Sequence, residues 1–204
     1  MTEPLVLEGD HVRLEPLTLA HADGLLAAAS EDQSTYVFTR APSPDPGGVV
    51  AFIDETLAWP GRIGFATVWL DADRVVGSTS YFAEWWDWPG HTGPPGAPDV
   101  VEIGGTWLAA SAQRTVVNTE AKLLMLVQAF DVWKVQRVAL KTDARNERSR
   151  AAIERIGARF EGILRRHMPA LGPAGGLRDS AYFSILPDEW PAVRERLETR
   201  LRTI

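Results

Sequence analysis

The sequence predicts a mixed α/β (α+β) protein whose front half is an antiparallel sheet. Two apolar segments, residues 64–70 and 74–83, flank an Asp-Ala-Asp turn, as in a β-hairpin. Residues 113–162 have the pattern of a helix, a buried strand and a second helix. A terminal amphipathic helix over residues 187–202 is indicated by apolar residues at helical spacing, namely Trp190, Val193, Leu197 and Leu201.

The front part of the chain supplies one strand and two helices. Residues 11–17 alternate loosely in polarity and are predicted as the first strand. Residues 19–30 carry an apolar face and predict a helix. A Pro/Gly-rich loop at 41–48 precedes a second predicted helix at 49–59, which the following Pro-Gly pair ends.

After the hairpin, a loop at residues 84–99 is rich in tryptophan, glycine and proline. Ordered loops of this length are often functional. Residues 100–108 resume the sheet, and residues 159–167 and 179–186 are predicted to close it.

Bulk properties fit one globular domain over residues 1–204, with a core at about 11–190 and the C-terminal helix at about 187–202. A chain of 204 residues buries roughly 70% of the surface that its unfolded form exposes. The net charge of −6 argues against a nucleic-acid partner, which favours a basic face. An acidic surface would attract a cationic substrate.

The sequence contains no cysteine, which excludes disulfides, a thiolate nucleophile and a cysteine-ligated metal. No histidine pair or carboxylate cluster has metal-ligand spacing, so we expect no metal. The N-terminus lacks the features of a signal peptide. No segment approaches the ~18 apolar residues of a membrane span. We therefore expect a cytoplasmic protein with no membrane partner.

The helix–strand–helix segment carries the strongest functional signal. Both helices, at residues 113–130 and 143–162, open with a polar turn, and the apolar strand at 135–142 lies between them. A helix N-terminus has unpaired N–H groups and a partial positive charge that suit an anion. Two such ends around one strand suggest a long phosphorylated cofactor. The alternative is two capped core helices.

Capping signals fit both helices. Thr115 or Asn118 is a candidate cap for the first helix, and Asn146 for the second, with Ser149 three residues on. Gly157 follows the second helix as expected of a helix end. The first helix is expected to pack on the sheet through an apolar face made by Leu123, Leu124, Val127 and Phe130.

These segments resemble motif A and the following region of the GNAT superfamily of acetyl-CoA-dependent N-acetyltransferases. The resemblance is closest to the ribosomal-protein N-terminal (RimJ/RimL-like) branch and covers nearly the whole chain. It is carried by VRLEPLTLAHADGL, EIGGTWL, NTEAKLLML and, most specifically, RNERSRAAIERIGARFEGILRRH. It implies the GNAT fold, a mixed and mostly antiparallel sheet with helices on both faces. A central parallel strand pair is splayed at the cofactor site.

The resemblance also implies acetyl-CoA as the co-substrate, held in the gap between the strands ending at Leu108 and Thr142. The pantetheine arm would pair with one strand like an added strand. The pyrophosphate would bind the amides that open the first helix. The implied cofactor-binding residues are Thr106, Trp107, Leu108, Gln113, Arg114, Thr115, Val116, Val117, Asn118, Thr119, Asn146 and Ser149.

One departure from the family pattern affects the phosphate loop. Relatives have Q/R-x-x-G-x-G/A, and after Gln113 the two small-residue positions here hold Val116 and Asn118. A valine at the glycine position must take ordinary helical dihedrals, since positive φ is strained for it. Either the chain is a variant that still binds CoA or the site is weakened.

Acetyl transfer to an amine requires that a proton leave, which a carboxylate can assist. Glu102 is the candidate base, because its strand borders the implied cofactor arm; otherwise it points outward or anchors a loop. Glu120 is second, with a structural role more in keeping with its place at the helix start. The tyrosine that many relatives use as the acid corresponds to Ile153. Ser149 matches the serine of some RimL-like members, and Tyr182 is an outside candidate.

Trp85, Trp86 and Trp88 lie in the long loop and predict a packed cluster, a substrate wall or lid, or a dimer contact. A homodimer is therefore compatible with the sequence. His21 and His167 have no visible partner in the sequence and are expected to be surface or satisfied histidines.

The sequence thus predicts an acetyl-CoA-dependent N-acetyltransferase that acts directly on a primary amine. A small amine and a protein N-terminus both remain open as the acceptor, and a ribosomal protein follows from the branch resemblance alone. The alternative is a catalytically silent CoA-binding or ligand-sensing module, motivated by Val116 and the missing tyrosine.

Overall fold

The computed structural model describes residues 5–86, 90, 92–172 and 175–203. Within these ranges the chain forms an eight-stranded sheet and five α-helices. The strands are β1 (Leu7–Glu8), β2 (Val12–Pro16), β3 (Arg62–Trp69), β4 (Arg74–Glu84), β5 (Val100–Leu108), β6 (Arg137–Asp143), β7 (Arg159–Pro169) and β8 (Leu177–Ile185). The helices are α1 (Ala22–Ser30), α2 (Pro46–Ala58), α3 (Val116–Val127), α4 (Glu147–Ile156) and α5 (Trp190–Leu201).

The sheet has the strand order β1-β2-β3-β4-β5-β6-β8-β7. Neighbouring strands are antiparallel except β5 and β6, which run parallel. That parallel pairing covers only residues 100–102 of β5 and 137–139 of β6. Beyond Glu102 the two strands show no further pairing in the described chain, so they diverge into a V-shaped gap. The predicted splayed parallel pair is confirmed.

Helices cover both faces of the sheet. Neighbouring residues of a strand point to opposite faces, and Ser80 and Tyr81 show which helices lie on each. The Tyr81 hydroxyl donates to the carbonyl oxygen of Met125 in α3 at 2.5 Å. On the Ser80 face, Thr56 of α2 packs against Gly64, the cross-strand neighbour of Ser80. Helix α5 packs beside α3, with Trp190 stacked on Phe130.

Some predicted boundaries were wrong. The short strand β1 was not predicted, because two residues give no periodicity. Helix α2 begins at Pro46 and not at 49, since the Asp45 carboxylate caps it by accepting from the Gly48 amide at 2.8 Å. Proline is favoured in the first helical turn because its missing N–H needs no partner there. Part of the predicted loop is therefore helix.

Helix α3 also differs from its prediction. It begins at Val116 with Thr115 as its cap, and a π-helical turn at Gln128–Val132 extends it. Its buried face includes Val117, Ala121 and Met125. The predicted face was partly wrong, because Leu123, Leu124 and Val127 are only partly buried.

Glu120 ties the start of α3 to the first strand pair. Its carboxylate is buried and accepts from the amides of Asp10 at 3.1 Å and His11 at 2.7 Å. Gly9 packs so closely on this carboxylate that a Cβ there would lie 2.7 Å from it. These contacts give Glu120 the structural role that was expected for it.

We expect Glu120→Ala to lower the free energy of unfolding by about 2–3 kcal/mol, because two amides lose a charged acceptor in a buried place. Chemical denaturation at pH 7 measures this. Glu147→Ala, which removes an exposed carboxylate from the first turn of α4, is the control and should cost about 0.3–1 kcal/mol. Equal losses for the two variants would contradict the anchoring role.

Candidate active site

The N-terminus of α3 presents an open row of backbone amides. Arg114 has a φ of +63°, which turns the chain into the helix. The Thr115 hydroxyl accepts from the Val117 amide at 3.3 Å and donates to the Ala112 carbonyl at 2.7 Å. Within the described chain, no hydrogen bond is made by the amides of Arg114, Thr115, Val116 and Asn118. Such a row is suited to an anion.

The valine in the phosphate loop does not obstruct this row. Val116 is the first residue of α3, has no positive φ and is buried in the core. Its side chain therefore packs inward, and its backbone has the helical dihedrals expected for a valine at this position. Asn118 and Thr119 line a small cleft with Ala152 and Ile156. Leu197 and Arg200 of α5 also line this cleft.

Gln113 links the two halves of the site. Its Nε2 donates to the Leu108 carbonyl at 3.0 Å, and its Oε1 accepts from Arg148 of α4 at 2.8 Å. The Leu108 carbonyl also accepts from the Tyr36 hydroxyl at 3.0 Å. Because both acceptor sites of that oxygen are used, pairing with an added strand would fall to the β5 residues before Leu108.

The N-terminus of α4 is closed by its own residues. Asn146 Oδ1 accepts from the Ser149 amide at 3.0 Å, and the Asn146 carbonyl accepts from the Arg150 amide at 3.0 Å. The Glu147 amide donates to the Arg145 carbonyl at 3.0 Å. Among the residues described, the Asn146 side-chain NH2 and the Ser149 hydroxyl make no hydrogen bond. These two groups are what this half of the site can offer to a ligand.

The end of β5 holds the other predicted contacts. Thr106 follows a bulge at Gly105, whose φ is +60°, and its hydroxyl lies 2.8 Å from that of Thr79. Trp107 is buried between the rings of Tyr36 and Phe52. The Trp107 side chain is therefore a core group, and only its backbone remains for a ligand.

Lys122 is a functional candidate that the sequence analysis missed. Its ammonium is fully buried and donates to Thr106 at 2.9 Å and Thr79 at 3.1 Å. Among the described residues it has no carboxylate partner. Burial lowers the pKa of Lys122 to about 7. A lysine within the apolar pattern of α3 was the signal available in the sequence.

Glu102 lies at the point where β5 and β6 part. Its Oε2 accepts from the Lys141 ammonium at 2.7 Å, and both side chains are largely buried. Its Oε1 makes no hydrogen bond in the described chain and packs over Gly104. One carboxylate oxygen is thus held by Lys141, and the other is free of hydrogen bonds in the described chain. Lys141 was not predicted.

Tyr182 and His167 extend this polar face. The Tyr182 hydroxyl and His167 Nε2 are 3.2 Å apart, and His167 Nδ1 is 3.1 Å from the Ser180 hydroxyl. The Lys141 ammonium lies 5.7 Å from the centre of the Tyr182 ring. Burial and nearby Lys141 lower the pKa of His167. His167 is therefore a satisfied histidine, and so is His21, which lies 3.0 Å from Glu15.

The tryptophan loop is only partly described. Trp85 and Trp86 are about half exposed, at 53% and 49%. Trp85 donates to the Gly96 carbonyl at 3.1 Å, and the Trp86 amide donates to Asp99 at 2.7 Å. Trp88 lies outside the described residues. The choice between substrate wall, packed cluster and dimer contact stays a prediction.

The described chain has neither a metal-binding cluster nor a membrane-spanning helix. No group of three or more histidine, aspartate or glutamate side chains is arranged to hold a metal ion. None of the described helices has the length and apolar character needed to cross a bilayer.

Comparison with known proteins agrees with this geometry. A family model described as an acetyltransferase (GNAT) domain matches residues 11–159. A GCN5-related N-acetyltransferase from Brucella melitensis is 32% identical, with a TM-score of 0.81 over 98% of this chain and 86% of its own. RimJ of Mycobacterium smegmatis, solved with CoA-disulfide, has a TM-score of 0.75 over 97% of this chain and 95% of its own. At 20% identity it shows the fold alone.

A shorter match comes from Bacillus subtilis (strain 168). Its protein YdaF, provisionally named a ribosomal N-acetyltransferase, is 35% identical over 86 residues, which is 42% of this chain. The match spans 45% of the length of that relative. The chain belongs to the GNAT acetyltransferase family and is an N-acetyltransferase. The predicted family is confirmed, and YdaF supports the RimJ/RimL-like branch.

Proposed function

We propose that this enzyme transfers the acetyl group of acetyl-CoA directly to a primary amine. The observation that carries the proposal is the row of unpaired amides at the start of α3, beside the gap between β5 and β6. A pyrophosphate needs several N–H donors and a positive helix end, and this row supplies both. Acetyl-CoA supplies an activated acetyl thioester.

The residues on each side of the gap divide the binding task. The backbone of β5 up to Trp107 would pair with the extended arm, since within the described residues this edge has no partner beyond Glu102. The free NH2 of Asn146 and the hydroxyl of Ser149 would contact the arm from α4. Gln113 and Arg148 would border the pyrophosphate end.

Glu102 would take up the proton that the amine loses as its nitrogen bonds to the acetyl carbon. Its Oε1 lies over Gly104, two residues past the last pairing of β5 with β6, while Lys141 holds Oε2 and fixes the carboxylate in place. Ser149 is the candidate that returns a proton to the departing sulfur. Much of the rate would come from holding the two reactants together, which can lower the activation barrier by about 7–11 kcal/mol.

The acceptor is a protein N-terminus or a small amine. The name of the Bacillus subtilis relative supports a protein acceptor and action in the cytoplasm. If the protein forms a homodimer, the exposed Trp85 and Trp86 offer a surface for it. No nucleic acid, membrane or metal ion takes part.

Isothermal titration with acetyl-CoA tests the binding step, and release of CoA in the presence of amines and N-terminal peptides tests transfer. We expect binding in the micromolar range and CoA release that depends on the acceptor. Absence of binding at millimolar acetyl-CoA would refute the proposal. Binding without release for any amine would identify a silent CoA-binding module.

A charge placed at the start of α3 tests the anion site. Aspartate and asparagine both cap helices well, so Thr115→Asp and Thr115→Asn should each keep the fold. We expect the aspartate variant to raise the Kd for acetyl-CoA more than tenfold, because its carboxylate repels the pyrophosphate. The asparagine variant is the neutral control and should stay within about threefold, roughly 0.6 kcal/mol. Equal affinities for the two variants would place the pyrophosphate elsewhere.

A further inference from the structure

Arg62, the first residue of β3, is a half-buried cation with no counter-ion in the described chain. Its Nε donates to the Ser80 hydroxyl at 2.9 Å, and its guanidinium lies 5.1 Å from the centre of the Phe82 ring. Its two terminal nitrogens make no hydrogen bond among the described residues. Four N–H donors in a planar fork are therefore unused.

The surroundings make this charge costly. Burial and the nearby Arg40 lower the pKa of Arg62 to about 10, so it stays charged at neutral pH. Arg40 itself pairs with Glu55. A desolvated cation without an opposite charge destabilises a fold. Such a group is retained more readily where a ligand supplies the missing anion.

Arg62 lies on the same face of the sheet as Glu102. Arg62 is the cross-strand neighbour of Phe82, and Phe82 is the cross-strand neighbour of Glu102. The two charged groups lie over adjacent glycines of β5. A Cβ at Gly105 would lie 2.8 Å from Arg62 Nη2, and a Cβ at Gly104 would lie 2.8 Å from Glu102 Oε1.

The two glycines thus leave room for the guanidinium of Arg62 over Gly105 and the carboxylate of Glu102 over Gly104. Both glycines lie on β5 beyond its pairing with β6. Phe82 packs beside Gly104 from β4, and Trp59 packs edge-on against Phe82. A small molecule bound beside these two groups would reach Glu102 with one end and Arg62 with the other.

We infer that Arg62 binds a carboxylate of the acceptor, so that the preferred substrate is an amine carrying a carboxylate close to the nitrogen that is acetylated. The inference rests on the proposed function and names its acceptor class. A guanidinium fork matches a planar carboxylate through two parallel hydrogen bonds. The amine end of the same molecule is then directed at Glu102. This site runs against the chain's net charge of −6, which alone would favour cationic substrates.

The test compares matched acceptors with the full-length protein at saturating acetyl-CoA. Each pair consists of an amino acid and its carboxamide, and a second set pairs peptides with aspartate or asparagine as second residue. We expect kcat/KM to be at least tenfold higher for the carboxylate member of the preferred set. The set that shows the preference tells whether the carboxylate belongs to a free amino acid or to a peptide.

Substitutions assign the preference to Arg62. Arg62→Gln and Arg62→Lys should each raise the KM for the carboxylate acceptor at least tenfold. The KM for the matching carboxamide should change less than threefold. The lysine variant keeps the charge and stem but loses the fork, and it provides a second variant should the glutamine variant misfold. Arg194→Gln, on the exposed side of α5 and paired with Asp131 and Glu198, controls for loss of one positive charge.

The outcomes separate the two claims. Lack of acetyl-CoA binding would overturn the proposed function itself. Turnover without preference for a carboxylate, or equal losses for both members of a pair in Arg62→Gln, would overturn the inference and leave the transferase assignment intact. If acetyl-CoA binds but no acceptor is acetylated, N-acetyl amino acids should still raise the Tm in the presence of CoA more than their amides do. Equal shifts would overturn the inference.

Discussion

Replacing Lys122 with methionine is expected to stabilise the protein at pH 6 by several kcal/mol. The folded state holds the pKa of this lysine at about 7, against 10.5 for an ordinary lysine. Each unit of such a difference corresponds to about 1.4 kcal/mol, so the cost of the buried ammonium is on the order of 5 kcal/mol. Methionine fills similar space without a charge, and Thr79 and Thr106 can still bond to each other.

The sign of the pH dependence follows from the lowered pKa. Below pH 7 Lys122 is protonated in both the folded and the unfolded state. The folded state then carries the full free-energy cost of burying the ammonium. Between about pH 7 and 10.5 only the unfolded state carries the proton, so stability rises with pH by up to about 1.4 kcal/mol per unit. The advantage of Lys122→Met should therefore shrink as the pH rises.

Urea unfolding at pH 6, 7, 8 and 9 measures the free energy of unfolding of the native protein and of Lys122→Met. Lys134→Met, at an exposed position, is the control and should follow the native protein at every pH. If the free energy of unfolding of Lys122→Met ran parallel to that of the native protein from pH 6 to 9, the buried amine would carry no such cost.

Glu102→Gln is expected to lower kcat by about 10²–10⁴-fold, the usual contribution of a positioned proton acceptor. The glutamine keeps the shape of the side chain and can still accept from Lys141, so acetyl-CoA affinity should change little. The Tm should fall, because the largely buried Lys141 loses its opposite charge. The neutral amide of the glutamine would not take up the proton that the amine loses.

The ion pair between Glu102 and Lys141 allows a sharper comparison. If Glu102 served only to pair with Lys141, Glu102→Gln and Lys141→Met would reduce activity equally. A proton-accepting role predicts a much smaller loss for Lys141→Met, because that variant keeps the carboxylate. It also predicts that the double variant stays as slow as Glu102→Gln. Steady-state CoA release across pH 6–9 distinguishes the two cases.

The sequence predicted the elements whose periodicity or caps are local. Asn146 was placed as a cap from its residue type and spacing, and the structure has its Oδ1 on the Ser149 amide. The two helix ends differ in which amides they leave unused. The amides at the Asn146 end are largely bonded within its own turn, while several at the Val116 end are open.

Two of the groups that were missed, Arg62 and Lys141, depend on pairing between distant strands. Arg62 and Glu102 are 40 positions apart, and only the register through Phe82 brings them to one face. Lys141 meets Glu102 for the same reason, across the short parallel pairing. No periodicity within one segment reports such partners. Lys122 is the exception, because a charge inside an apolar helical pattern is visible in the sequence.

The divergence of β5 from β6 has a consequence for how the protein avoids unwanted association. An unpaired strand edge at the rim of a sheet can recruit strands of other chains. Here the free edges of β5 and β6 lie in the middle of the sheet, with strands on either side. A second folded protein cannot bring a sheet into so narrow a notch, whereas a single slender chain can enter it. The fold thus keeps backbone hydrogen-bonding capacity for a ligand while withholding it from other proteins.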